Sequence, residues 1–210
     1  MAATQPAVLT TLTTHRPQAW GWMAIALIST LALAAAVLFR FGAGRDGTEL
    51  ALKMTARLAF AFFWPAFVGG ATARLFGAAF DPVARRARVL GLAFAAALAV
   101  HLTLVAWISW IGDAPGLRTF LIFGVGAGWT TLLALASFKA LGAQISPLGW
   151  WVLRNVGMSY LLFDFALDFF KPPPMHSLLV KVEYVPFQLL VAMAVALRLG
   201  AWVKDRRQAS

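Results

Sequence analysis

Five ionisable side chains within the apolar runs of this chain stand out as candidates: Arg57, His101, Arg154, Asp164 and Glu183. A charge at membrane depth costs several kcal/mol, so each is a candidate for function. His101 lies about 12 residues into an apolar run, which at about 1.5 Å rise per residue is near mid-depth. A neutral imidazole is cheaper to bury than a charge. It can ligate haem iron, or it can join two helices by a hydrogen bond. Arg154 and Asp164 share one run, ten residues apart. At about 100° per residue they stand roughly 80° apart around a helix, so they cannot pair with each other. Asp164 therefore needs a partner on another helix, and Arg57 is the leading candidate. Arg154 has room for an anionic group such as a lipid headgroup, a haem propionate or a quinone oxygen.

Side chains of this kind need a scaffold, and the composition says which. Of the 210 residues, 61% are hydrophobic and 12% charged. Soluble domains carry about 25% charged residues. Half that level, with repeated apolar runs of membrane-spanning length, defines an all-α integral membrane protein, because helices satisfy their own backbone in lipid. The formal charge of +10 does not point to nucleic acid, since the basic residues gather at the ends of apolar runs beside lipid headgroups. Cysteine is absent, which excludes disulfides, thiolate metal sites, iron–sulfur clusters and haem attached through thioethers.

Six spans are predicted, over residues 20–39, 51–76, 89–111, 118–141, 147–170 and 179–203. The first reads as an uncleaved span rather than a signal peptide: it is long enough to cross, and only Arg16 precedes it as positive charge. Residues 1–19 read as a flexible cytoplasmic segment, 20–203 as the six-helix domain and 204–210 as a basic cytoplasmic tail. The "KPPPMHS" stretch at 171–177 separates the last two spans, since proline cannot continue a helix. Gly124 and Gly128 have the spacing that lets a second helix or a flat cofactor approach. His15 and His176 lie outside the spans.

The order of these features resembles the ferric-reductase-like transmembrane domain family, in particular the haem-binding membrane subunit of bacterial methionine-sulfoxide reductase systems. The similar stretches are "GTELALKMTARLAF" at 47–60, "RRARVLGLAFAAALAVHL" at 85–102 and "LLALASFKALGAQISPLGWWVLRN" at 132–155. The resemblance covers residues 45 to 170, and each motif is short. It implies b-type haem held between histidines of the third and fifth spans. His101 matches the third-span ligand. At the fifth-span position this chain has Leu153, Arg154 and Asn155, and Asp168 stands near the place of a second family histidine. An arginine cannot ligate iron because its guanidinium stays protonated.

The expected function is therefore a ferric-reductase-like membrane protein that has lost bis-histidine haem. It would have no catalytic residues and no resident cofactor, and would act as a structural or accessory subunit against the lipid bilayer and other membrane subunits. The alternative is an electron-transfer subunit with a single haem b on His101, Met158 as a possible sixth ligand, or one that uses quinone. Cofactor contacts would then fall to His101, Arg154 and Met158, and the buried polar set is Arg57, Asp164 and Glu183. The expected location is the bacterial inner membrane.

Lysine and arginine set the orientation. One side collects Arg16, Arg74, Arg85, Arg86, Arg88, Lys139, Arg198, Lys204, Arg206 and Arg207; the other collects Arg40, Arg45, Lys53, Arg118, Lys171 and Lys181. The richer side should be cytoplasmic, with both termini on it. Reporter fusions at Gly112 and Gly142 should then read outside and inside respectively, and the opposite pattern would reverse the orientation.

Overall fold

A computed structural model describes residues 16–138, 142, 144–170 and 178–209, with side chains from Ala19 onward and without those of 178–182 and 209. The described residues form six long helices and no strand: α1 (Arg16–Phe41), α2 (Arg45–Phe76), α3 (Asp81–Trp110), α4 (Leu117–Ala136), α5 (Pro147–Phe169) and α6 (Leu178–Ala209). A 3-10 turn, Ala78–Phe80, joins α2 to α3. Five stretches are long and apolar enough to cross a membrane: Ala19–Phe41, Arg45–Phe76, Ala78–Trp110, Leu117–Ala136 and Glu183–Gln208. The protein is thus an all-α, multi-pass membrane bundle. The 23-residue α5 is long enough to span but is not among these five; it carries Arg154, Asn155, Asp164 and Asp168 along its length.

Most of the helices extend further than the apolar runs. Three of them begin well before the predicted run: α1 at Arg16, inside the segment expected to be flexible, α2 at Arg45 and α3 at Asp81; α4, by contrast, ends at Ala136, short of the expected 141. The stretch expected to be a basic tail is helical to Ala209. Charged and polar residues sustain a helix as readily as apolar ones, so hydropathy marks the lipid-facing part and not the helix ends. Sharper boundaries have local causes. Gly77, at φ 79°, closes α2 and donates its N–H to the Ala73 carbonyl. Ser146 caps α5 by accepting the Gly149 N–H at 3.1 Å, and Pro147 at the first turn loses no bond. Pro65 and Pro186 lie inside α2 and α6 without ending them. His15, His176 and the "KPPPMHS" stretch lie outside the described residues.

Helix α2 is central, packing against α1, α3 and α6, while α4 packs chiefly on α5. Small side chains permit the close approaches: Ala26 of α1, Ala59 of α2, Ala93 and Ala97 of α3 and Ala194 of α6 are fully buried. Between α2, α3, α5 and α6 lies an aromatic cluster. Phe60 meets Phe165 and Phe169 edge-on, with ring centroids 4.9 and 5.0 Å apart. Phe63 meets Phe94 at 5.3 Å, and Phe169 meets Phe187 at 4.9 Å. Two polar links tie α6 down: Trp64 Nε1 donates to the Leu190 carbonyl at 2.8 Å, and Gln188 Nε2 to the Phe169 carbonyl at 2.9 Å.

The ends of the bundle sort as alternating antiparallel helices require. At one end Arg45 meets Asp113 at 3.0 Å. At the other, Arg74 meets Asp205 at 2.8 Å, and Arg88 donates to the Ser137 carbonyl. The second is called the basic end below. The tight seat of Ala97 between helices makes a clear expectation. Ala97→Leu should overpack the α2–α3 contact and cost about 1–3 kcal/mol, read as a lower melting temperature in detergent. Substitution of lipid-facing Leu121 by Ala should leave the melt nearly unchanged.

Candidate functional site

Helices α4 and α5 pack on each other more closely than α4 packs on α3, and two cavities lie along the seam that this leaves. The larger, about 470 Å³, is lined by Lys53, Phe94, His101, Phe120, Gly126 and Asp164 among others. The smaller, about 320 Å³, lies toward the basic end and is lined by Gly70, Arg85, Arg88, Phe94, Arg154 and Met158 among others. Phe94 and Leu161 line both cavities.

His101 is positioned by α2 across the tight α2–α3 contact. Its Nδ1 is 3.0 Å from Thr55 Oγ1. The Thr55 hydroxyl also lies 2.8 Å from the Ala51 carbonyl. A hydroxyl has one proton. With that proton on Ala51, Thr55 accepts from Nδ1–H, and Nε2 keeps its lone pair. Metal-ligating histidines are commonly oriented by such a bond through the other nitrogen, and so are packing histidines that join two helices. Sequence reasoning missed Thr55. The available signal was a second hydroxyl, beside Thr48, in the first half of a helix that must face the protein interior.

Asp164 is 6% exposed, and its Oδ1 is buried without a hydrogen-bond partner. The carboxylate lies against Gly126 of α4, where a Cβ would collide with it. Tyr160, one turn earlier, spends its hydroxyl on the Ile122 carbonyl at 3.0 Å. The glycine that matters on α4 is therefore Gly126. Gly124 and Gly128, singled out by their spacing, have open space where a Cβ would stand.

The expected pairing of Asp164 with Arg57 is not formed. Arg57 Nη2 instead lies 3.3 Å from Glu183 Oε2, which Lys53 Nζ also approaches at 3.0 Å. Its guanidinium stands over Tyr184 and Phe187, 5.3 and 5.2 Å from the ring centroids. The cause is the aromatic cluster, in which Phe60 fills the space between α2 and α5, while α6 brings Glu183 alongside α2. Arg57 is largely enclosed, with 14% of its side chain exposed and its Nε unpartnered. Glu183 was expected among the buried polar residues, but its side chain is 52% exposed.

The remaining candidates sit apart from His101. Arg154 lies beside Gly70 of α2, where a Cβ would stand 3.7 Å from Nη2. Met158 lines the same cavity as Arg154 and packs on the hydrophobic core. His101 lines the other cavity, so the structure does not bring it together with Met158 or Arg154 in one pocket. Asp164, Asp168 and His101 do share a cavity. Asn155, beside Arg154, accepts from Arg198 Nη2 at 3.4 Å, and Arg198 stands 4.4 Å over the Phe67 ring. Among the described residues no group of three or more His, Asp or Glu side chains is placed to hold a metal ion.

The chain matches no protein-family model, no curated protein and no solved structure. The class defined by fold and composition is a multi-pass helical membrane protein with two cavities in one interhelical seam.

The contact between Asp164 and Gly126 is testable by a double-mutant cycle. Gly126→Ala should destabilise the bundle by about 1–3 kcal/mol through overpacking. In the Asp164→Ala background, where the added methyl meets no carboxylate, the same change should cost much less. Equal costs in both backgrounds, read from thermal melts in detergent, would show that the two residues do not touch.

Proposed function

We propose that this chain is a ferric-reductase-like subunit of the bacterial inner membrane, with both termini cytoplasmic, that has lost bis-histidine haem binding. It acts as a structural or accessory subunit, packing against other membrane proteins. One observation carries the reading. Among the described residues no second imidazole lines the cavity of His101, and Met158, the sixth ligand expected in the alternative, lines the other cavity. The donor set therefore does not fit a haem held by two axial side chains. The wide apolar surfaces of α1 and α4, with Ile28, Phe39, Phe120 and Leu132 exposed, offer area for lipid and for neighbouring subunits.

A second reading, an electron-transfer subunit, is favoured by a different observation. His101 lines a cavity of about 470 Å³ with aromatic walls at Phe94, Phe120 and Phe165. With Nδ1–H donating to Thr55, Nε2 has the lone pair that iron needs; with Nδ1 accepting from the Thr55 hydroxyl, Nε2–H can instead donate to a quinone oxygen. In this reading a single five-coordinate haem b, or a quinone, occupies that cavity.

An absorption spectrum of the protein purified from haem-replete cells separates the two. The accessory reading expects no Soret band. A Soret band with reducible α and β bands, lost in His101→Leu, would overturn it in favour of the second. Arg154→His should remain colourless while folding normally, because residue 154 opens to the cavity that His101 does not line. Haem absorbance acquired by that variant would show that the two cavities act as one pocket.

A further inference from the structure

We propose that the smaller cavity is a binding site for the phosphate headgroup of an anionic phospholipid, with Arg154 as its principal contact. Three guanidinium-bearing residues from two helices line it: Arg85 and Arg88 of α3 and Arg154 of α5. Among the described residues no aspartate or glutamate lines it. A fourth arginine, Arg198 of α6, is close enough to Arg154 for their charges to interact. Like charges gathered at a low-dielectric wall repel, and an anion among them removes that repulsion.

The arginines are not equally free. Arg88 donates to the Ser137 carbonyl. Arg85 reaches Asp81 only at 3.9 Å, with 71% of its side chain exposed, which places it at the cavity mouth. Arg154 forms no hydrogen bond or ion pair among the described residues. It stands on a helix that begins only seven residues earlier, at Pro147, so it lies near the headgroup level. Gly70 and Gly91 leave space beside it and on the facing wall.

The rest of the cavity decides the kind of anion. Ala66, Leu92, Leu133, Met158 and Leu161 supply apolar walls. A free phosphate has no use for them, whereas an acyl chain does. A charged rim above an apolar slot between membrane helices is the arrangement that suits an anionic lipid. The inference goes beyond the accessory-subunit reading and does not depend on whether His101 carries iron.

The test uses the full chain purified in a neutral detergent and titrated with dioctanoyl-phosphatidylglycerol, with melting temperature as the readout. A saturable rise is expected, and dioctanoyl-phosphatidylcholine should give little. Arg154→Gln should weaken the apparent affinity about tenfold, the loss of one charge-assisted bond. Arg154→Lys should keep most of it. Arg40→Gln, at the opposite end, should bind as the parent does. Should Arg154→Gln fail to fold, Arg88→Gln tests the same rim and should also bind more weakly. Equal responses to both lipids, no response at all, or unchanged affinity in the Arg154 and Arg88 variants would overturn the site. A rise reproduced by inorganic phosphate alone would overturn the lipid assignment in favour of a soluble anion.

Discussion

A carboxyl group enclosed among apolar helices must be covered by protein, and the packing of α4 on α5 meets that constraint at Asp164. The helix that carries it exposes Leu148, Trp151, Val156 and Phe163 on its outer face, so Asp164 must be enclosed on the opposite side, against α4. Helix α4 covers the carboxylate through Gly126, the position on that helix where a side chain would collide with it. Tyr160 adds a second tie between the same helices. The two helices thus form a unit, which meets the rest of the bundle through the aromatic cluster of α2, α3 and α6. The seam and its two cavities lie between that unit and α3.

The polar residues of α2 solve the same problem in a different way. Arg57 is enclosed by Tyr184, Phe187 and the more exposed Glu183, so its charge is shared with an interfacial carboxylate and two ring faces. Thr55 returns its hydroxyl to the helix backbone and meets His101. On this helix Thr55 and the Arg57 Nη2 are thereby served by neighbours close to their own level, while the Arg57 Nε is left without a partner. Asp164 Oδ1 is the exception on α5, and it marks the larger cavity as the place where a bound group would gain most from donating a hydrogen bond.

Much of the architecture was legible in the sequence. The apolar runs foretold each long helix, and the break after Gly77 and the start at Ser146–Pro147 are written in residues with direct backbone effects. Helix ends in charged stretches were less legible, because hydropathy reports lipid exposure and α6 continues as helix through Lys204 and Arg206. Side-chain partners were the least legible. Arg57 and Asp164 suit each other in charge and depth, yet Phe60 stands between their helices and Glu183 arrives from a helix 126 residues away in sequence. Spacing drew attention to Gly124 and Gly128, while the glycine at close quarters lies between them. Which face of a helix turns inward depends on its neighbours, and a single apolar helix carries only a faint record of that.

Phe94 and Leu161, the side chains shared by both cavities, also have an electrical meaning. They stand at the meeting of two recesses that reach toward opposite ends of the bundle. Water entering either recess would carry the potential of its own side inward, so most of a transmembrane voltage would fall across the short apolar barrier at these two residues. Asp164 on one side and Arg154 on the other would then sit close to a concentrated field, although neither has to cross the membrane to feel it.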